Sequence, residues 1–243
     1  SHYKGYPQYD SEPWVQNVSR PYIATNGLTN KHIAVAASHG RYFNNKKGEW
    51  DWQRPFMNGT REDIFTRTIV TPYLIPMLES AGANVFTPRE RDEQTAAVIV
   101  SKSLTMNAAK ETTLEQHFTP YIQQPGSYAV YVKYAKHAKN IPDARYTVWH
   151  SGKRTAFVVN QRMGQGTWVY LGTFEFGKTN PKTANDDNCV VISTESKHKG
   201  MIGVDAVRFG GGMGNISRSG TTSGFARCLE GARYYAQWAG APY

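Results

Sequence analysis

Between Tyr128 and Phe209 the chain is a succession of short runs rich in β-branched and aromatic residues: Tyr128–Tyr134, Arg145–His150, Thr155–Asn160, Trp168–Phe176, Cys189–Ser193 and Gly203–Phe209. Clusters of Gly, Asn, Pro or Asp separate them. Several runs alternate with a period of two, as Tyr128, Val130, Val132 and Tyr134 do against Ala129, Tyr131 and Lys133. That alternation marks a strand with one buried face. Short strands at such turn-punctuated spacing predict an all-β antiparallel sandwich over residues 120–212, closed by Gly210-Gly211-Gly212.

The flanks read differently. Residues 1–31 are rich in Tyr, Pro, Asn and Ser without a sustained period, and predict an extended arm over the surface. Ile33 to Ala37 reads as a strand. From 61 to 81, Ile64, Phe65, Ile69, Val70, Tyr73, Leu74, Met77, Leu78 and Ala81 recur near a 3.6-residue period. Pro72 and Pro76 interrupt it, so two helices in tandem are expected, the second capped by Thr71 with Pro72 at its first position. Gly82 reads as the C-cap and Asn84–Thr87 as a second strand. Strand, helix and strand in that order predict a βαβ unit with a parallel sheet. A last helix is expected from Phe225 to Trp238 behind Ser223. The fold class expected is therefore α/β over 32–100 and 215–243, with the antiparallel sandwich inserted into it.

The net charge of +9 comes from basic residues scattered along the chain, with no block of five or six. Nucleic acid is thus the weaker partner, and an acidic polysaccharide or a cell envelope is equally served by such a surface. No apolar stretch approaches the roughly 18 residues of a membrane span. Ser1 is not followed by a charged-then-apolar leader, and an extracytoplasmic protein whose export signal is already removed is expected. A disulfide between Cys189 and Cys228 stays open; isolated thiols are more often buried small hydrophobes.

Candidate site residues fall at element ends. His39, in Ser38-His39-Gly40 behind the first strand, is either a metal ligand or a loop imidazole bonded to backbone, and spacing alone favours the second. Glu62, beside Asp63, is either a second ligand or a helix N-terminal acid complementing the dipole. Arg89 and Arg91, with Asp92, fit an anionic substrate or a structural ion-pair cluster. Glu230 forms i,i+3 pairs with Arg227 and Arg233, with a general acid or base role as the alternative. Trp149 and Trp168 are either sugar-stacking platforms or sandwich core.

The β runs carry a resemblance. Tyr128-Ala129-Val130-Tyr131-Val132, Tyr146-Thr147-Val148-Trp149-His150, Val159-Asn160-Gln161, Gly166 to Gly172 and Asp205 to Gly212 resemble, in order, a golvesin C-terminal-like domain. Trp50 to Arg54, Pro76 to Glu79, Pro88 to Asp92 and Glu230 to Tyr234 extend the likeness to whole proteins of the Bacteroides xanthan lyase type. The flanking part is similar, more distantly, to zinc-dependent N-acetylmuramoyl-L-alanine amidases, on Ser38-His39-Gly40, Glu62 and Gly82…Val85…Thr87…Arg89…Asp92. That resemblance implies an amidase-like α/β domain in which His39 and Glu62 hold Zn2+, with a third ligand expected from sequence beyond Tyr243. A zinc-bound water would then attack an amide of peptidoglycan, since zinc lowers the water's pKa to about 7. The expected function is an exported envelope- or glycan-associated protein, an amidase-like hydrolase with an accessory sandwich. The alternatives are a non-catalytic carbohydrate-binding or adhesion protein, or a polysaccharide lyase of the xanthan type.

Overall fold

Alternation wins over helical periodicity along most of this chain. The computed structural model describes residues 12–37, 39–44, 46–87, 91–183 and 187–212, and these are mostly β. In chain order the elements are β1 (Val15–Asn17), β2 (His32–Ala34), β3 (Arg41–Asn44), β4 (Glu49–Trp52), α1 (Glu62–Ile69), α2 (Ile75–Ser80), β5 (Asn84–Phe86), β6 (Ala97–Asn107), β7 (Glu115–Phe118), β8 (Gly126–Lys133), β9 (Ala144–His150), β10 (Lys153–Val159), β11 (Val169–Phe176), β12 (Cys189–Ser193) and β13 (Met201–Gly210).

Two antiparallel sheets share one core. One has the order β1-β10-β9-β12-β7 and the other β11-β8-β13-β6. Val130 and Val132 of β8, Val148 of β9, Ile192 of β12 and Val207 and Phe209 of β13 are fully buried between them. Each such side chain contributes about 1.5–3 kcal/mol of burial. The period of two in β8 therefore resolves as read, with Val130, Val132 and Tyr134 inward. Its other face is not solvated: Tyr131 is completely buried, because residues 91–96 run across it.

The sandwich takes in more chain than 120–212. β6 and β7 precede that range, and β6 pairs with β13 from Ala97–Gly210 to Asn107–Met201. Its inward row is Val98, Val100, Lys102, Leu104 and Met106, and Lys102 breaks the apolar pattern. The lysine stem runs inward while its ammonium sits 5.7 Å from the Phe118 ring, a packing that hydropathy alone does not reveal.

The expected amidase-like α/β domain is corrected by this architecture. β2 and β5 do pair in parallel, His32 with Asn84 through Ala34 with Phe86, around the helical segment. Each strand has only three residues, however, and among the described residues no further parallel strand joins them. Past Thr87 the chain leaves for the antiparallel sandwich. β3 and β4 pair antiparallel, Arg41 with Trp52 through Asn44 with Glu49, and the helical segment buries Ile75 against Ala83 and Val85. Phe65, Tyr73 and Met77 remain exposed because so small a sheet offers them nothing to cover.

A separate second helix starting at Thr71 is corrected too. Val70–Leu74 is a π turn continuous with both helices, and α2 carries Pro76 in its first turn. A wider turn accommodates the backbone where proline withholds its N–H. Gly82 follows with φ +96°, and a Cβ there would lie 2.8 Å from the Thr29 hydroxyl. Residues 215–243, including the helix expected at 225–238, lie outside the described residues.

Candidate functional site

Within the expected arm, residues 12–31 are tied both to the sandwich and to the helical segment. β1 adds to the sandwich edge, Val15 opposite Val159 and Asn17 opposite Phe157. Trp14 stacks on Phe86 of β5 at 5.2 Å with planes 10° apart. Its backbone N–H donates to Asn84 Oδ1 (3.0 Å), and its carbonyl accepts from Asn160 N (2.8 Å). Asn160 Nδ2 also donates to the Glu12 carbonyl (2.9 Å). Farther along, Arg20 Nη1 donates to Ser80 Oγ at the end of α2 (3.1 Å). Leu28 N and Asn30 N close on the carbonyls of Ala81 and Gly82.

These ties leave a cleft of about 150 Å3. One wall is the arm, with Trp14, Arg20 and Tyr22; a second is Glu79, Ser80 and Asn84; the third is Phe157, Trp168, Tyr170 and Leu171 of the sandwich, with Arg91 between. Arg91 Nη2 donates to Glu79 Oε1 at 2.6 Å, and its guanidinium lies 4.9 Å from the Tyr170 ring centre. Burial pushes the Tyr170 phenol above its ordinary pKa, opposed by its hydrogen bond with Thr173 (2.8 Å). Arg208 stands 4.2 Å from the Tyr131 ring and 4.8 Å from Trp168, and Lys133 Nζ is 5.5 Å from Trp168. Cations over aromatic faces make this wall rigid and positive.

Arg91 and Trp168, two of the expected substrate-binding residues, thus line one cleft. Trp149 does not: it sits on β9 opposite Arg154 and Cys189, away from the cleft lining. Arg89 and Glu230 lie outside the described residues, as does Cys228, the possible partner of the buried Cys189. Asp92 is structural, accepting from the Tyr131 hydroxyl and from the backbone N–H groups of Gln94 (2.8 Å) and Gly212 (3.0 Å). Arg20, Tyr22 and Asn84 were not legible as site residues, since nothing periodic marks an arm that folds back onto a distant strand.

His39 and Glu62 are neighbours, Nδ1 to Oε1 3.4 Å, and Asp63 Oδ1 is 4.0 Å from the same nitrogen. Arg54 occupies the space between them. Its Nη2 lies 2.7 Å from His39 Nε2, while its Nε lies 3.3 Å from His39 Nδ1 and 3.5 Å from Glu62 Oε2. The fully buried Asp63 accepts the Arg54 backbone N–H (2.9 Å). Both acids sit in the first turn of α1, where they complement the helix dipole. A guanidinium against both imidazole nitrogens does not fit a zinc centre, which needs three protein ligands and an open position. Among the described residues no other acid, histidine or cysteine completes such a group.

Residues 91–211 match the family described as Golvesin C-terminal domain. A xanthan lyase of Bacillus sp. (strain GL1) is 32% identical over 105 residues, which are 42% of this chain and 10% of that protein. The structure of a Paenibacillus xanthan lyase aligns with 47% of this chain and 13% of its own, at 23% identity and a TM-score of 0.37. The chain therefore spans about a tenth of the length of the curated relative it matches. The family match opens just before β6 and closes just after β13, so it takes in both sheets except β1. From residue 91 to residue 211, just under half of its length, the chain is thus similar to a golvesin C-terminal domain.

Proposed function

We propose that this chain is a non-catalytic polysaccharide-binding module of an extracytoplasmic protein, and that the cleft between the arm and the golvesin-like sheet is where it holds a sugar residue. The cleft carries the reading: it combines exposed and half-buried aromatic rings with fixed polar groups, the usual make-up of a small-ligand site. The similarity to xanthan lyase supports a glycan partner.

Affinity electrophoresis of the full chain through gels containing different soluble polysaccharides tests this directly. Retardation by at least one of them is expected, together with about tenfold weaker binding in Tyr22→Ala, or ~1.4 kcal/mol. Tyr22 is 71% exposed, so its loss leaves the core intact. Trp149→Ala should leave binding unchanged. Release of unsaturated or shortened sugars during the same incubation would overturn the non-catalytic part of the reading.

A further inference from the structure

We infer that the cleft selects a sugar residue bearing a carboxylate, with the Arg20 guanidinium taking the carboxylate and Asn84 Nδ2 donating to an oxygen beside it. This rests on the polysaccharide reading and narrows it.

Arg20 is exposed and forms no ion pair among the described residues; its one hydrogen bond, to Ser80 Oγ, fixes the fork and leaves its remaining N–H groups for a ligand. Asn84 is only 4% exposed. Its Oδ1 is satisfied by the Trp14 backbone, whereas its buried Nδ2 has no hydrogen-bond partner. A buried donor without a partner costs about 1–3 kcal/mol, which a ligand acceptor recovers. Arg91 is the other cation of the lining, and it is already engaged by Glu79 and stacked on Tyr170. Its charge is balanced by Glu79, so it does not compete for the ligand.

Arg20 and Asn84 Nδ2 are thus the donors still open to a ligand, and the one carboxylate of the lining, Glu79, is held by Arg91. A hydroxyl presents both a donor and acceptors, while a carboxylate presents acceptors alone and matches a guanidinium fork in two parallel bonds. The cleft, at about 150 Å3, is smaller than the roughly 300–1,000 Å3 of drug-sized sites and suits one ring rather than a chain segment. The formal charge of +9 draws acidic chains toward the surface in general, so the test must separate that pull from recognition at Arg20.

Calorimetric titration of the full chain with oligogalacturonate and with the same oligosaccharide after carboxyl reduction makes the separation. At low salt the acidic form is expected to bind at least tenfold more tightly. Arg20→Gln should remove most of that preference, and Lys153→Gln, which deletes one exposed charge elsewhere, should preserve it. Asn84→Asp should weaken the acidic form most, by placing like charge in the cleft. Equal binding of both forms would overturn the carboxylate assignment and leave the polysaccharide reading standing. A preference untouched by Arg20→Gln would overturn the cleft as its source. Binding of neither form, nor of any polysaccharide in the gels, would overturn both.

Discussion

Gln161 shows how one amide can hold two sheets in register. Its Nε2 donates to the Tyr146 hydroxyl and to the Gly203 carbonyl, both at 2.9 Å, and its Oε1 accepts the Gly203 N–H at 2.8 Å. Tyr146 belongs to one sheet and Gly203 to the other, so the contact spans the sandwich. Burial also pushes the Tyr146 phenol well above its ordinary range, so it stays a neutral donor and acceptor. Gln161→Leu should cost about 3 kcal/mol or more, because two buried peptide groups lose their partners at 1–3 kcal/mol each, measurable by chemical denaturation. Asp92→Ala should be comparably harmful, stranding three donors. Gly212 approaches Asp92 so closely that a Cβ would fall 2.0 Å from the carboxylate, so Gly212→Ala should disturb the same lock. His32 makes a pH prediction. Burial holds its pKa below 6.5, so the folded state favours the neutral ring packed 5.3 Å from Phe86. The unfolded chain binds the proton first, so this contribution is complete above pH 6.5 and fades as pH falls through the lower folded value. Melting curves from pH 7.5 to 5 should fall more steeply in the native chain than in His32→Phe.

At the scale of elements, what could be read depended on whether a pattern was local. The strands of β8 to β13 carry their own period of two and their own turn residues, so their positions were legible within a few residues. β6 was hidden by Lys102, a charge in an inward row whose stabilising partner, Phe118, lies on another strand. The stretch over 61–81 is helical, but its buried apolar residue, Ile75, lies outside the period read there, and of that period Val70 and Leu78 pack on the small core. The π turn at Val70–Leu74 suggests its own test: Pro72→Ala restores a backbone N–H and removes a ring clash, which should favour a regular helix. Helical content by circular dichroism should rise slightly, with stability unchanged or higher. The surroundings of His39 were hidden for a related reason, since the sequence offers His39 and Glu62 but cannot announce that Arg54, fifteen residues after His39, lies against both.

For the whole molecule, the candidate site is composite. Trp168 and Arg91 come from the golvesin-like stretch, whereas Arg20, Tyr22 and Asn84 come from before it. No single segment contains the pattern, which is why the sequence offered Arg91 and Trp168 separately and gave no sign that they share a cleft with Arg20, Tyr22 and Asn84. The site's exposed cation also makes its electrostatics salt-sensitive, and binding of an acidic glycan should weaken severalfold between 50 and 300 mM salt, as the screening length shortens from about 14 to 6 Å. β1 ties this site to the sheet. The arm whose strand Val15–Asn17 completes the sandwich edge goes on, three residues later, to present Arg20. Occupancy of the cleft and seating of that strand are therefore linked equilibria: a ligand gripping Arg20 holds the edge shut, and an unseated strand disperses the binding site. Amide exchange at Val15–Asn17 should slow when oligosaccharide is added. In its absence the uncovered β10 becomes a pairing edge for another chain, so the same segment that lines the proposed glycan site also guards the molecule against self-association.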